Sequence, residues 1–247
     1  MTAEVRIVPL LGIPELDEGD DLGELLADAA ERTGGFETSD VLVVAQKAVS
    51  KVEGRVLRLD DVEPTSRARA LAGGDDARRT EVILRESREL LRIRAPLVIA
   101  ETRHGFVCAS AGVDSSNAKG HETVVLLPLD PDASARAIRT GIRDLTGVEI
   151  GVIVSDSFGR AWRLGTTDVA LGVSGLASLH DLRGQRDAWG YELHATQIAV
   201  ADEIAGAAEL VMGKTDGVPA AIVRGARVSG DGSGADLLMP RERDLFR

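Results

Sequence analysis

The sequence predicts an α+β fold, mixed sheets with flanking helices, on three observations. Helical apolar stripes and short strand-like apolar runs are both present, so the chain is neither all-α nor all-β. Their order is not a regular strand–helix–strand repeat, which argues against a doubly wound parallel sheet. Hydrophobic residues make up 44% of the chain but aromatics only 3%, so Val, Leu, Ile and Ala must fill the core.

The first strand is read over Val5–Arg6–Ile7–Val8 and ends at Pro9. A helix follows, capped by Asp20 or Asp21, with Leu22, Leu25, Leu26 and Ala29 at i, i+3, i+4 and i+7. Burying those leucines contributes about 1.5–3 kcal/mol each. Gly34–Gly35 stops this helix, and Val41 to Ala45 forms a buried strand that leads into the polar segment 46–51. Residues 60–75 are polar and contain glycine, and are expected to be a mobile connection. A charged helix is predicted over 76–91, with Ile83, Leu84, Leu90 and Leu91 on one stripe. Strands are predicted at 97–100, 105–110 and 123–127. Pro131 opens a helix through Ile142 that Gly147 closes. A strand at 151–154 then delivers Ser155–Asp156–Ser157 at its end, a helix spans 196–211, and a last strand covers 219–223.

A chain of 247 residues holds one large domain or two smaller lobes. Its longest apolar runs are far too short to cross a bilayer, and no basic, apolar leader opens it. Cys108 is the only cysteine, so no internal disulfide forms and a cysteine-rich zinc site is excluded. A cytoplasmic protein is expected. The formal charge of −11 argues against nonspecific nucleic-acid binding, yet leaves room for a nucleotide met by a few local cations.

Two acid-bearing segments point to chemistry. In Ala111–Gly112–Val113–Asp114–Ser115–Ser116–Asn117, small residues surround an acid, so the backbone can approach a ligand closely. Asp114 suits a hard metal and Asn117 a phosphate or sugar; the bland reading is an Asx turn. In Ser155–Asp156–Ser157–Phe158–Gly159–Arg160–Ala161–Trp162–Arg163, Asp156 and the Ser157 hydroxyl suit Mg²⁺ or Mn²⁺. Arg160 and Arg163 match phosphate or carboxylate oxygens, though a structural ion pair explains the same residues. Phosphoryl transfer needs metals held by carboxylates from separate segments, and Asp114 with Asp156 is the best pair available.

Residues 208–215 read A-E-L-V-M-G-K-T, close to a phosphate-binding P-loop, but the first glycine is missing and Gly213–Lys214 follows a helix instead of opening one. Gly213 is more simply a helix C-cap. His104, His121, His180 and His194 show no metal-binding spacing, and Cys108 in an apolar strand reads as core.

Five segments in order, P-L-L-G-I-P-E-L, Q-K-A-V-S-K-V-E-G, A-G-V-D-S-S-N, S-D-S-F-G-R-A-W-R-L-G and A-D-E-I-A-G-A-A-E-L-V-M-G-K, resemble the coenzyme F-420-0: L-glutamate ligase family. The likeness is strongest to the N-terminal ligase domain of the actinobacterial two-domain form, so the chain is either a stand-alone ligase or the ligase part of a longer protein. The resemblance implies an α+β fold of the family's own type and a homodimer. It also implies GTP-driven phosphorylation of the acceptor's terminal carboxylate, displacement of phosphate by the amine of L-glutamate, and addition of further γ-linked glutamates. Two divalent cations, Mg²⁺ or Mn²⁺, and K⁺ would assist.

Carried over by motif, Ile13, Pro14, Glu15 and Leu16 would border the GTP, with Gln46 and Lys51 beside it and Asn117 in contact. Met212, Gly213 and Lys214 would begin a turn closing over the nucleotide. Asp114 and Asp156 would hold the first metal and Ser157 would help hold the second, with Arg160 joining the two aspartates as the catalytic set. A metal-dependent nucleotide phosphohydrolase and a nucleotide-binding regulatory domain are the alternatives; no nucleic acid or membrane partner is expected.

Overall fold

A computed structural model describes residues 4–116, 122–226 and 228–246. Its elements, in chain order, are β1 (Arg6–Pro9), α1 (Leu22–Glu31), β2 (Val41–Ala45), α2 (Gln46–Val52), β3 (Val56–Arg58), α3 (Ser66–Leu71), α4 (Ala77–Glu86), β4 (Ser87–Arg94), β5 (Leu97–Thr102), β6 (Val107–Ala109), β7 (Thr123–Val125), α5 (Pro131–Thr146), β8 (Gly151–Arg160), β9 (Arg163–Ser174), β10 (His180–Asp181), β11 (Gln197–Ile198), α6 (Val200–Met212) and β12 (Ala220–Arg224). Helices and several separate sheets make this an α+β fold, as expected.

The central sheet has the order β1-β12-β2-β8-β9. Only β2 and β8 run parallel; the other neighbours are antiparallel. Side chains alternate across a strand, so Leu42 and Val44 of β2 face one side and Val41 and Val43 the other. On the first side they join Leu26 of α1 and Ile142 of α5; on the second they meet Ala201, Ile204 and Ala208 of α6. A third core, away from the central sheet, gathers Val82 and Ile83 of α4 with Val98 and Ala100 of β5. Among the described residues, no helix is long and apolar enough to cross a membrane.

The caps follow the sequence. Asp21 accepts the Glu24 N–H at the start of α1, and Asp130 accepts the Ala133 N–H at the start of α5, with Pro131 in its first turn. Gly147, in the left-handed conformation, closes α5.

Several elements differ from the sequence expectation: the strand expected at 151–154 runs on to Arg160, β9 has no counterpart in it, and the helix expected over 196–211 begins at Val200, after β11. The helix predicted over 76–91 ends at Glu86, where the Ser87 hydroxyl turns back onto the Ile83 carbonyl. Residues from Ser87 onward instead pair antiparallel with β5, so sheet pairing overrides a helical stripe of leucines. The expected mobile connection at 60–75 contains a 3₁₀ turn and α3, whose cap Thr65 is also held by Glu81. The polar segment after β2 is α2, with Gln46, Ala48, Val49 and Ser50 buried.

Candidate active site

The parallel pair locates the site. β2 ends at Ala45, opposite Ser155 of β8, and at this edge the chain turns into α2 while β8 continues through Asp156. Ligands of such sheets sit beyond the carboxyl ends of parallel strands, where backbone groups and loops are free of the ladder. A cleft of about 530 Å³ opens here, walled by the segments around Ile13–Leu16, the first turns of α2, and the loop after α6. A polar recess of about 70 Å³ adjoins it, lined by Gln46, Ser155, Asp156, Ser157, Asp168 and Glu209. Lys47 and Lys214 line both spaces.

The recess concentrates negative charge. Strand alternation sends Ser155 and Ser157 to one face and Asp156 to the other. Both hydroxyls donate to Asp168, at 2.9 Å from Ser155 and 2.7 Å from Ser157, because Asp168 sits opposite Ser157 in the β8–β9 register. Burial drives the Asp156 carboxyl up to about 7; the Ser157 N–H and the Lys47 ammonium oppose the rise, while Asp168 and Asp114 reinforce it. Asp114 goes the other way. Burial alone would raise it, but the Lys47 ammonium and the Ser116 N–H and O–H outweigh that and hold it below the ordinary carboxylate range. Lys47 Nζ lies 2.7 Å from Asp114 Oδ2, and Lys214 Nζ lies 3.9 Å from the same oxygen.

The backbone before Asp114 is unusual. Ser110, Ala111 and Gly112 have φ of 54°, 52° and 72°, and non-glycine residues hold such angles only when their surroundings impose them. Arg79 of α4 supplies part of that constraint, donating from Nη2 to Ser110 Oγ and to the Val113 carbonyl, both at 3.3 Å. Asp114 itself is pinned by paired backbone bonds with Val125, at 3.0 and 2.8 Å. At Gly112 a Cβ would meet Leu127 side-chain atoms at 2.7 Å, so only glycine fits.

The expected residues fall into three groups. Ile13, Pro14, Glu15, Leu16, Lys51, Gly213 and Lys214 line the cleft, and Gln46, Asp156, Ser157 and Met212 line the recess beside it. Leu16 and Met212 also belong to the hydrophobic cores, and the Gln46 amide is used internally, donating to Ser50 Oγ at 2.6 Å and to the Leu126 carbonyl at 2.8 Å. Asp114 joins them through Lys47. Arg160 is not brought in: β8 runs on past Asp156 into a hairpin with β9, so Arg160 sits exposed near its tip, bonded to the Leu164 carbonyl. Asn117 lies outside the described residues. Gly213 is a C-cap, with φ +61° and its N–H on the Glu209 carbonyl, and a Cβ there would come 2.5 Å from Asp216 Oδ2. Cys108 is buried beside Asp156, its thiol pushed up to about 12 by burial first and Asp156 second, so it is inert core.

Lys47, Asp168 and Glu209 complete the site and carried no assignment from sequence. Lys47 stood inside a quoted motif next to Gln46; Asp168 lies in β9, a strand with no clear pattern of its own.

The donor set suits a hard divalent cation. Asp114 and Asp156 are carboxylates influencing one another near Lys47, and the Ser157 hydroxyl donates its hydrogen bond to Asp168, leaving oxygen lone pairs for a ligand. Among the described residues, no three carboxylate, imidazole or thiol groups form a cage alone. Mg²⁺ commonly binds through one or two carboxylates and completes its shell with water and phosphate oxygens, so the residues present fit such an ion arriving with a nucleotide.

Residues 11–225 match the family described as F420-0:Gamma-glutamyl ligase. The chain is 42% identical over 255 residues to the coenzyme F420:L-glutamate ligase of Methanocaldococcus jannaschii, covering all of both chains. It is 45% identical over 252 residues to that of Methanopyrus kandleri, covering 98% of each chain. With the protein of the same name from Methanothermobacter thermautotrophicus it shares 42% identity over 250 residues, 98% of this chain and 99% of the relative.

Proposed function

Because this chain belongs to the F420-0:gamma-glutamyl ligase family, we propose that it joins L-glutamate to the deazaflavin coenzyme F420-0 through an amide bond, with GTP as the driving co-substrate. The γ-phosphoryl group passes to an oxygen of the acceptor's terminal carboxylate and GDP leaves. The glutamate amine then attacks the acyl carbon, losing a proton as inorganic phosphate departs. Further γ-linked glutamates are added by the same sequence of steps.

One observation carries this reading: an acidic recess opens directly off a nucleotide-sized cleft whose wall carries Lys47, Lys51 and Lys214. The lysines meet phosphate oxygens, which an acidic protein needs in order to accept a nucleotide. Ile13, Pro14, Glu15 and Leu16 border the nucleotide beside Lys51, and the loop beginning at Met212 covers it. Asp114 and Asp156 hold one divalent cation, Mg²⁺ or Mn²⁺, and Ser157 takes part in holding a second. When bound, these ions neutralise the charge that develops on the transferring phosphoryl group. Lys51 is paired with Glu15 at 2.5 Å, so phosphate binding exchanges one carboxylate partner for another oxyanion. K⁺ and the homodimer enter this reading on the family likeness alone, and a cytoplasmic location on the composition of the sequence.

The test is GDP release from GTP with Mn²⁺ and coenzyme F420-0, with and without L-glutamate, followed by product mass. A glutamate-dependent mass increase matched by GDP is expected. Phosphate release indifferent to glutamate and acceptor would instead establish a nucleotide phosphohydrolase. Substituting ATP for GTP, and light scattering on the purified protein, test the nucleotide and the dimer separately.

A further inference from the structure

A phosphate-facing role does not by itself explain where the Lys47 side chain sits, on a carboxylate. Lys47 is the second residue of α2, and its side chain is 13% exposed. Its ammonium lies 2.7 Å from Asp114 Oδ2 and donates to Ser116 Oγ at 2.6 Å. The carboxylate it touches is engaged at both oxygens: Oδ1 accepts the Ser116 N–H at 2.7 Å, and Oδ2 also accepts the Ser116 hydroxyl at 3.0 Å. An incoming divalent cation bonds a carboxylate oxygen at about 2.0–2.1 Å in the case of Mg²⁺. It cannot share Oδ2 with an ammonium in contact, because the two cations would then stand within roughly 5 Å in a partly buried site. One must leave.

Two features say which. The lysine stem is flexible and its head is a single strongly hydrated charge, so Nζ can swing several ångströms about a fixed helix. Lys47 also lines both the recess and the larger cleft, so an ammonium released from Asp114 stays inside the site, facing the space that receives phosphate.

We propose that Lys47 is an exchange cation: it neutralises Asp114 while the site lacks a divalent ion, yields its place when that ion binds, and turns into the cleft to meet an oxyanion. This rests on the reading of Asp114 as a metal-binding residue. Its consequence is specific. In the nucleotide-free protein Lys47 competes with the metal, so removing its charge strengthens metal binding even though it removes a residue from the site.

The probe is Mn²⁺ alone, titrated without nucleotide and read by the spin-resonance signal of the free aquo ion, on the wild type and on Lys47→Met, Lys47→Arg and Asp114→Asn. Lys47→Met is expected to bind Mn²⁺ ~10-fold or more tightly than the wild type, in line with loss of a half-buried competing ion pair; Lys47→Arg, which keeps the charge, should not. Equal or weaker binding in Lys47→Met, with wild-type binding that Asp114→Asn abolishes, overturns the exchange role and leaves the metal site standing. No Mn²⁺ binding in the wild type or in Lys47→Met overturns both. A second measurement needs no variant: acetylation of amines in the wild type, resolved to Lys47 by peptide fragmentation, should increase when Mg²⁺ is added without nucleotide. Unchanged or reduced labelling contradicts the exchange.

Discussion

Asp156 is held in surroundings that oppose its own charge. In an unfolded chain its carboxyl ionises near 3.8, whereas the folded protein keeps the proton to about pH 7. Between those values the folded state binds more protons, so the stability of the cation-free protein falls as pH rises through that window. The loss amounts to at most about 4 kcal/mol. Asp156→Asn cannot ionise and escapes it. In chelator at pH 8 this variant is expected to melt roughly 5 °C or more above the wild type, with the gap closing toward pH 4. Parallel melting curves across pH would show that the carboxyl is not desolvated as described. The same change should lower turnover at saturating Mn²⁺ by at least ~10²-fold, as should Asp114→Asn, the scale for losing one electrostatic stabiliser. The two outcomes together would assign Asp156 to function, since a residue kept for packing would not cost stability.

Among the elements, the segment carrying Asp114 is built against its own backbone preferences. Three consecutive left-handed residues precede it, and α4 reaches across through Arg79 to hold the Ser110 hydroxyl and the Val113 carbonyl on either side of the turn. Gly112→Ala is expected to lose about 2 kcal/mol or more, since the new Cβ meets Leu127 and the angle is unfavourable for any L side chain. Chemical denaturation measures this. Arg79→Met should leave the far-ultraviolet spectrum unchanged while raising the Mn²⁺ requirement for turnover several-fold, with Arg79→Lys recovering part of it; an unchanged requirement would mean the turn holds its shape without the clamp. The β8–β9 hairpin works differently. It sets Asp168 opposite Ser157 by register and carries Arg160 four strand steps, ~13 Å, beyond Asp156. Arg160→Ala is therefore expected to change nucleotide affinity by less than ~3-fold, read by calorimetry with GDP and Mn²⁺.

At the scale of the molecule, the central sheet is buried on both faces, by α1 and α5 on one side and α6 on the other. That double cover makes the ends of β2 and β8 a rigid floor for the site. Leu26 is fully buried between α1 and the sheet, and Leu26→Ala should cost about 2–5 kcal/mol. Its melting temperature should fall while its affinity for GDP and Mn²⁺ in the folded state stays near that of the wild type. Weakened affinity in the folded variant would mean that the floor deforms with the core.

Much of this protein is determined by local rules that a sequence carries in the open. The α+β class, the strand from Val41 to Ala45, the Asp21 cap, and the Pro131 to Gly147 limits of α5 all follow from periodicity and capping, because those signals lie within a few residues of one another. Asp114 and Asp156 stood out for a similar reason: acids among small residues, at turns or strand ends, have little packing role. Tertiary structure decided the rest. The leucines after Glu86 became a strand because β5 was available to pair with them. Asp168 entered the site through the register of a hairpin, and Lys47 through a contact with a residue 67 positions away. Such partners depend on which strands lie side by side, a long-range outcome of burying both faces of one sheet, and no spacing along the chain encodes it.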